Sequence, residues 1–282
     1  MTALTLPARN HGHGLRRACR AEITKLAGQW RVRLAAALCV LAPFVLVIAL
    51  KVQSTIPYDT LFGRWVHESG SSIPLVVLGF CGQWALPALT CLVSGDIFSS
   101  EDHFGTWPTI LARSCTRRQL FVAKSLIAFG DATLNVVLLA LSSTAAGLLL
   151  VGRQPLVDLS GTLMPVSHTI PLVLAAWASS IPPVLGFAAM SILISIATRN
   201  SPTGIGVPVA IGLGMQLASM ANWPDVLRVA LLSSSFNAWH GLLTGTPYYG
   251  PLVEDLIVSA VYFVFLLGAA YGLAARRDEI RG

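Results

Sequence analysis

Five stretches of this chain are apolar for long enough to cross a lipid bilayer, and a sixth joins them if its glycines and prolines are tolerated. They are Leu34–Leu50, Ile73–Ser94, Leu120–Val151, Ile170–Thr198, Thr203–Ala221 and Leu252–Ala275. An α-helix needs roughly 20 apolar residues to cross about 30 Å of hydrocarbon. The runs are continuous rather than alternating, which selects helices over a transmembrane β-barrel. The expectation is an all-α polytopic membrane protein, a single transmembrane domain of six helices over residues 1–282. Only 11% of the residues are charged, against about 25% in soluble domains, so little chain remains for a soluble catalytic head. There is no Gly-rich phosphate loop, no HExxH and no Gly-x-Ser-x-Gly. The chain is therefore not expected to be an enzyme, nor to hold a cofactor of its own. Five scattered cysteines form no CxxC, and His11 and His13 lack a third ligand, so no metal site is expected either. The N-terminus does not read as a cleavable signal, because its first apolar run begins only near Leu34.

The net charge of +6 could suggest nucleic acid, but in a chain of this kind basic residues act as topology signals and contacts for anionic headgroups. Fifteen of the nineteen Lys and Arg lie in the N-terminal arm, the second and fourth connections and the C-terminus. The other four, Lys51, Arg64, Arg153 and Arg228, lie on the opposite side. That bias places both termini, and the segment Asp96–Lys124, in the cytoplasm of a cell whose inner membrane the chain crosses several times. Leu15–Trp30 reads as an amphipathic helix on the inner face, with Ala18, Ile23, Leu26, Ala27 and Trp30 against Arg16, Arg17, Arg20 and Lys25. A plain topogenic tail is the alternative.

Within the spans, Pro182-Pro183 is expected to bend the fourth. Gly206, Ala210 and Gly214 fall four residues apart on one face of the fifth, a helix-packing surface or else a gating hinge. Asp131 and Asn135 share a face inside the third span. They read as a structural hydrogen bond or an ion pair with Lys124 or Arg199, or alternatively as part of a substrate path. Residues 222–251 carry apolar runs too short to span, which fit interfacial or re-entrant helices, with Trp223, Trp239, Tyr248 and Tyr249 at headgroup depth. Glu254 and Asp255 are expected to open the last span at its N-terminus, with contact to a cationic substrate at an exit mouth as the alternative, and His168 and His240 to lie at the surface.

The connection from Asp96 to Lys124 differs from the others in being charge-rich and patterned. Gly105 breaks one helix, Thr106 can cap a short second one over Trp107–Arg113, and Thr116 can cap the third span. With Glu101, Gly105, Thr106, Ile110, Leu111, Ala112, Thr116, Arg117 and Lys124, the segment resembles the membrane subunits of type-2 ATP-binding-cassette (ABC) exporters. There the second and third spans are joined by a Glu-x-x-x-Gly-Thr step, a Leu-rich turn, a Pro-x-Ser-Arg step and a Lys seven residues on. The chain departs from that pattern at Ser114 and Pro108.

The resemblance implies a permease subunit whose cytoplasmic coupling helix, within 96–118, docks on a separate ABC ATPase. ATP and Mg would then be bound by that partner. It also implies a second permease subunit, identical or paralogous, with a dimer seam at the first and fifth spans where Gly206, Ala210 and Gly214 lie. The cargo would be an amphipathic drug-like compound, lipid or peptide, as in multidrug efflux. The rival reading is a non-transporting membrane immunity or scaffold protein of the same fold.

Overall fold

The computed structural model describes residues 11–53, 61–104, 116–221 and 224–276. In order these form α1 (His11–Gly28), α2 (Trp30–Gln53), α3 (Ile73–Gln83), α4 (Ala85–Ser94), α5 (Ser99–Phe104) and α6 (Arg117–Ala146). There follow α7 (Val166–Ser179), α8 (Ile181–Thr198), α9 (Ser201–Ser219), α10 (Asp225–Val229) and α11 (Gly250–Arg276). A two-residue hairpin, β1 (Leu156–Val157) with β2 (Leu163–Met164), is the only sheet among these residues.

Four described helical stretches are long and apolar enough to cross a membrane: Trp30–Val52, Arg117–Val151, Val166–Thr198 and Gly250–Arg276. A fifth exists if Gly70–Gln83 and Ala85–Asp102, bent by 55° at Trp84, count as one span. The sixth expected run, α9, is helical over 19 residues but is not among these stretches. Its four glycines and two prolines dilute the apolar content. The fold is thus all-α and of membrane type.

The bend expected at Pro182-Pro183 takes the form of a break at Ser180, two residues ahead of the pair. Both prolines then fall in the first turn of α8, where backbone N–H groups have no helical partner to lose. α8 is the central element: Val184, Phe187, Ala188, Ala189 and Ile192 are fully buried, and α11, α9, α4 and α6 all pack on it. α2 and α1 lie on α6. The outer faces of α2 and α11 are apolar and exposed, with Leu41, Val45 and Ile48 on one and Leu256, Val264 and Phe265 on the other. Helices apolar on every side need an apolar medium or a partner.

Close backbone approach fixes where α4 meets α9. A Cβ built on Gly95 would lie 2.5 Å from the Gly204 carbonyl, and one on Gly204 would lie 2.5 Å from Gly95 O. Ser191 Oγ donates to Gly204 O at 2.7 Å, holding the crossing from α8. The buried stripe of α9 is therefore Gly204, Pro208 and Gly212, while Gly206, Ala210 and Gly214 are exposed.

At the opposite end, the expectations for residues 222–251 need correction. Trp239 is only 2% exposed, in the core with Phe236 and Leu243 rather than at a surface. His240 is half-buried with its ring centroid 4.1 Å from that of Trp239. Tyr248 and Tyr249 are exposed, as is His168; Trp223 lies outside the described residues. The hairpin covers this region: Leu159 N donates to Leu243 O, and Gly245 N donates to Ser160 Oγ. Burial opposes ionisation of Asp158 in the hairpin turn. Donation from the Thr162 hydroxyl and from the Thr162, Ser160 and Gly161 amides outweighs it and keeps the carboxyl below the usual range. α11 begins at Gly250, so Glu254 and Asp255 lie past its first turn and do not cap it.

Two glycine substitutions separate the faces of α9. Gly204→Val forces backbone apart inside one chain and should cost at least about 1–3 kcal/mol. Gly206→Leu meets nothing within 4 Å and should stay within about 0.5 kcal/mol of the parent. Thermal unfolding of the purified variants in detergent micelles reads both; equal losses would mean the crossing is misplaced.

Candidate functional site

The end of the bundle that carries the N-terminal arm holds a buried charge cluster. α6 is started by Thr116: its hydroxyl accepts from Gln119 N at 3.2 Å, and Gln119 Oε1 accepts from Thr116 N at 3.1 Å, a reciprocal cap. Two turns on, Lys124 has no exposed surface. Its ammonium lies 2.8 Å from Glu22 Oε1 and 3.1 Å from Glu101 Oε1, and it donates to Ile97 O at 2.8 Å. The Phe98 ring centroid is 5.9 Å away. Lys25 also pairs with Glu101. Two ammonium groups and two carboxylates thus join α1, α5 and α6, with Glu22 and Glu101 each at least 95% buried.

The amphipathic pattern of α1 makes this possible. Ala18, Glu22 and Leu26 recur every four residues and form its buried face against α6, whereas Ile23 and Trp30 point away. One carboxylate therefore sits in the middle of an apolar stripe. Taking an ion out of water costs several kcal/mol, which is recovered only where a counter-ion and further hydrogen bonds are in place. Here they are, save that Glu22 Oε2 has no hydrogen-bond partner.

A second set of contacts extends the cluster. Arg31 pairs with Asp96, whose other oxygen accepts from Ser201 Oγ at 2.5 Å. Ser99 Oγ lies 2.8 Å from Ser201 Oγ, and Ser99 N donates to Ser195 Oγ. Residues 96–101 consequently bind α1, the start of α2, α6, α8 and α9 within two turns of chain. They lead directly into residues 105–115.

Of the positions singled out in the sequence, Glu101 sits at the centre of this cluster and Arg117 is exposed in the first turn of α6. Gly105, Thr106, Ile110, Leu111 and Ala112, with the short helix expected over Trp107–Arg113, lie outside the described residues. Asp131 and Asn135 are elsewhere. Asn135 Nδ2 donates to Asp131 at 3.2 Å and Cys39 Sγ lies 3.8 Å from Asn135 Oδ1, so the pair is a hydrogen bond facing α2. Lys124 takes other partners, and Arg199 is an exposed left-handed residue closing α8. Sequence reasoning passed over Glu22 and Asp96. Glu22 was recoverable, being the one acid in a basic arm and lying on its apolar face. Among the described residues no group of three His, Cys, Asp or Glu gathers as a metal would require.

Fold and cluster together define a helical membrane protein whose N-terminal arm is bolted to its first internal connection by buried ion pairs. No family model matches the chain. It is 20% identical over 242 residues to the Bacillus subtilis (strain 168) protein YhcI, itself described as uncharacterized, covering 81% of this chain and 73% of that one.

The cluster predicts an asymmetry. Lys124→Met takes the ammonium away from buried Glu22 and leaves Glu101 with Lys25 alone, and should destabilise by about 3–5 kcal/mol. Glu22→Gln leaves Lys124 its Glu101 and Ile97 partners and should cost clearly less. Detergent-solubilised melting temperatures decide it, and a Lys124→Met variant as stable as Glu22→Gln would mean the ammonium is not the centre of the cluster.

Proposed function

We propose that this chain is the permease subunit of an ATP-driven ABC exporter, one half of a dimeric channel that moves an amphipathic molecule outward. Its ATPase subunits are separate chains that bind the ATP and Mg. In this reading the basic end faces the cytoplasm with both termini. The bent α3–α4 pair and the glycine-rich α9 count as the second and fifth of six spans, and residues 224–249 form the re-entrant segment. The exposed stripe Gly206/Ala210/Gly214 is where a second permease subunit would pack, because small residues let helices approach in lipid.

The observation that carries the reading is the burial of Glu101 and Lys124 in one cluster with Glu22. Both are positions of the resemblance to type-2 ABC membrane subunits, and they flank the segment where that family docks its ATPase. Buried ion pairs resist rearrangement, since separating them exposes uncompensated charge. A push on residues 105–115 would then reach α1, α6, α8 and α9 at once and rock the bundle as a rigid body.

Two measurements test this. Affinity purification of the tagged chain from its own host should recover an ABC ATPase, and Leu111→Asp should reduce that recovery at least about tenfold, as loss of an interface contact does. A chain that recovers no ATPase, while remaining intact in the membrane, favours the scaffold reading instead. Separately, cysteines introduced at residues 105 and 249 should differ in intact cells: a membrane-impermeant maleimide should label 249 and spare 105. The opposite pattern inverts the chain and removes the coupling segment from the ATPase.

A further inference from the structure

We propose that the end of the bundle opposite the charge cluster contains a two-chamber cleft that binds an aromatic amine, its ring in one chamber and its ammonium in the other. In the permease reading this cleft lies on the path of the cargo, but binding itself does not depend on that reading.

The first chamber has a volume of about 280 Å³ and is walled by Phe62, Phe80, Trp84 and Trp239, with Gln83 and Asn237. Trp84 stands at the 55° bend between α3 and α4. Phe80 and Trp84 remain half exposed, at 53% and 51%. The indole N–H of Trp239 is buried without an acceptor. The second chamber, of about 400 Å³, is lined by Asp255, Glu254, Arg228, Ser219, Ser235 and Asn237. Asn237 lines both chambers, so they adjoin at its side chain. Its Oδ1 accepts from Gln83 Nε2 at 2.9 Å, and Gln83 Oε1 accepts from Gln216 Nε2 at 2.6 Å.

Charge decides which ligand class fits. Asp255 is 96% buried and accepts a hydrogen bond from Ser259 at 3.0 Å. No lysine or arginine nitrogen lies within 4 Å of it or of Glu254 among the described residues. A buried carboxylate calls for a counter-charge, and here it borders an open space instead of a basic side chain. Two acids and one arginine line the chamber, an excess of negative charge that favours a cation. The neighbouring rings offer stacking and cation–π contact to a flat apolar body. The two volumes together fall in the usual range for small-molecule sites, about 300–1,000 Å³.

The test uses three probes of the same shape: 1-pyrenemethylamine, a cation at neutral pH; 1-pyrenemethanol, neutral; and 1-pyreneacetate, an anion. Saturable tryptophan-to-pyrene energy transfer on the purified full chain in micelles, without any ATPase, measures affinity. The amine should bind about tenfold or more tighter than the alcohol, the gain expected of one charged hydrogen bond, and the acetate should bind weakest. Asp255→Asn should reduce the amine to the level of the alcohol without changing the alcohol, and Trp84→Ala should weaken both alike. Equal affinities for amine and alcohol in the unaltered protein overturn the proposal whether or not the variants fold. An amine affinity untouched in a folded Asp255→Asn protein does the same. Displacement of the amine by short-chain phosphatidylethanolamine but not phosphatidylcholine would assign the site to a lipid headgroup and overturn the aromatic ligand. Because no ATPase is present, failure here leaves the permease reading standing, and failure to recover an ATPase leaves the cleft standing.

Discussion

One ammonium group organises the basic end of this molecule. Lys124 is fully buried and shared between Glu22 and Glu101, so it cannot be withdrawn from either without leaving a charge in a low-dielectric setting. That constraint fixes the depth of α1 against α6 and brings α5 down onto both. The rest follows by adjacency. With Glu101 held, the preceding turn must place Asp96 beside Ser201 and Arg31, and Ser99 beside Ser195. A hydrophobic contact at the same place could slide by a side chain's width, whereas a paired and hydrogen-bonded charge has few alternative positions.

The remainder of the architecture answers to the apolar solvent. α8 is buried because four helices surround it, and its small residues Gly186, Ala188, Ala189 and Ser191 let them come close. The helices around it keep apolar outer faces, which in water would be a liability. The far end is closed by main chain: the hairpin turn accepts and donates hydrogen bonds with the segment before α11, and the Asp158 carboxylate ties the turn together.

Four of the spans were legible from composition, because runs of that length and hydropathy have few alternatives. α9 shows where that signal thins: its Gly204 serves backbone contact at Gly95, a need that an apolar-content argument counts as weakness. The Thr116 cap was legible from local chemistry alone. α11 starts two residues ahead of the expected span, at Gly250 with Pro251 in its first turn, and that shift puts Glu254 and Asp255 past the turn they were expected to open. Trp239 looked like an interfacial aromatic since its burial comes from tertiary packing that no local pattern encodes. Glu101 and Lys124 stood out as members of a pattern, but their pairing needed α1, and nothing in the spacing between residues 22 and 124 announces contact.

The two ends of the molecule are not independent. α4 and α9 are joined at the basic end by the backbone contact of Gly95 with Gly204 and by the Asp96–Ser201 hydrogen bond. At the far end Gln216 of α9 donates to Gln83, the residue that closes α3 beside the bend. Helices tied at both ends do not slide past one another without breaking one tie, so they move together or not at all. In the permease reading, a displacement imposed on residues 96–101 would therefore carry α9 with it and shift Gln83 and Asn237, the hydrogen-bonded pair where the two chambers adjoin. The ammonium cluster and the aromatic cleft would then be opposite ends of one stiff element, and the bend at Trp84 is where that element gives.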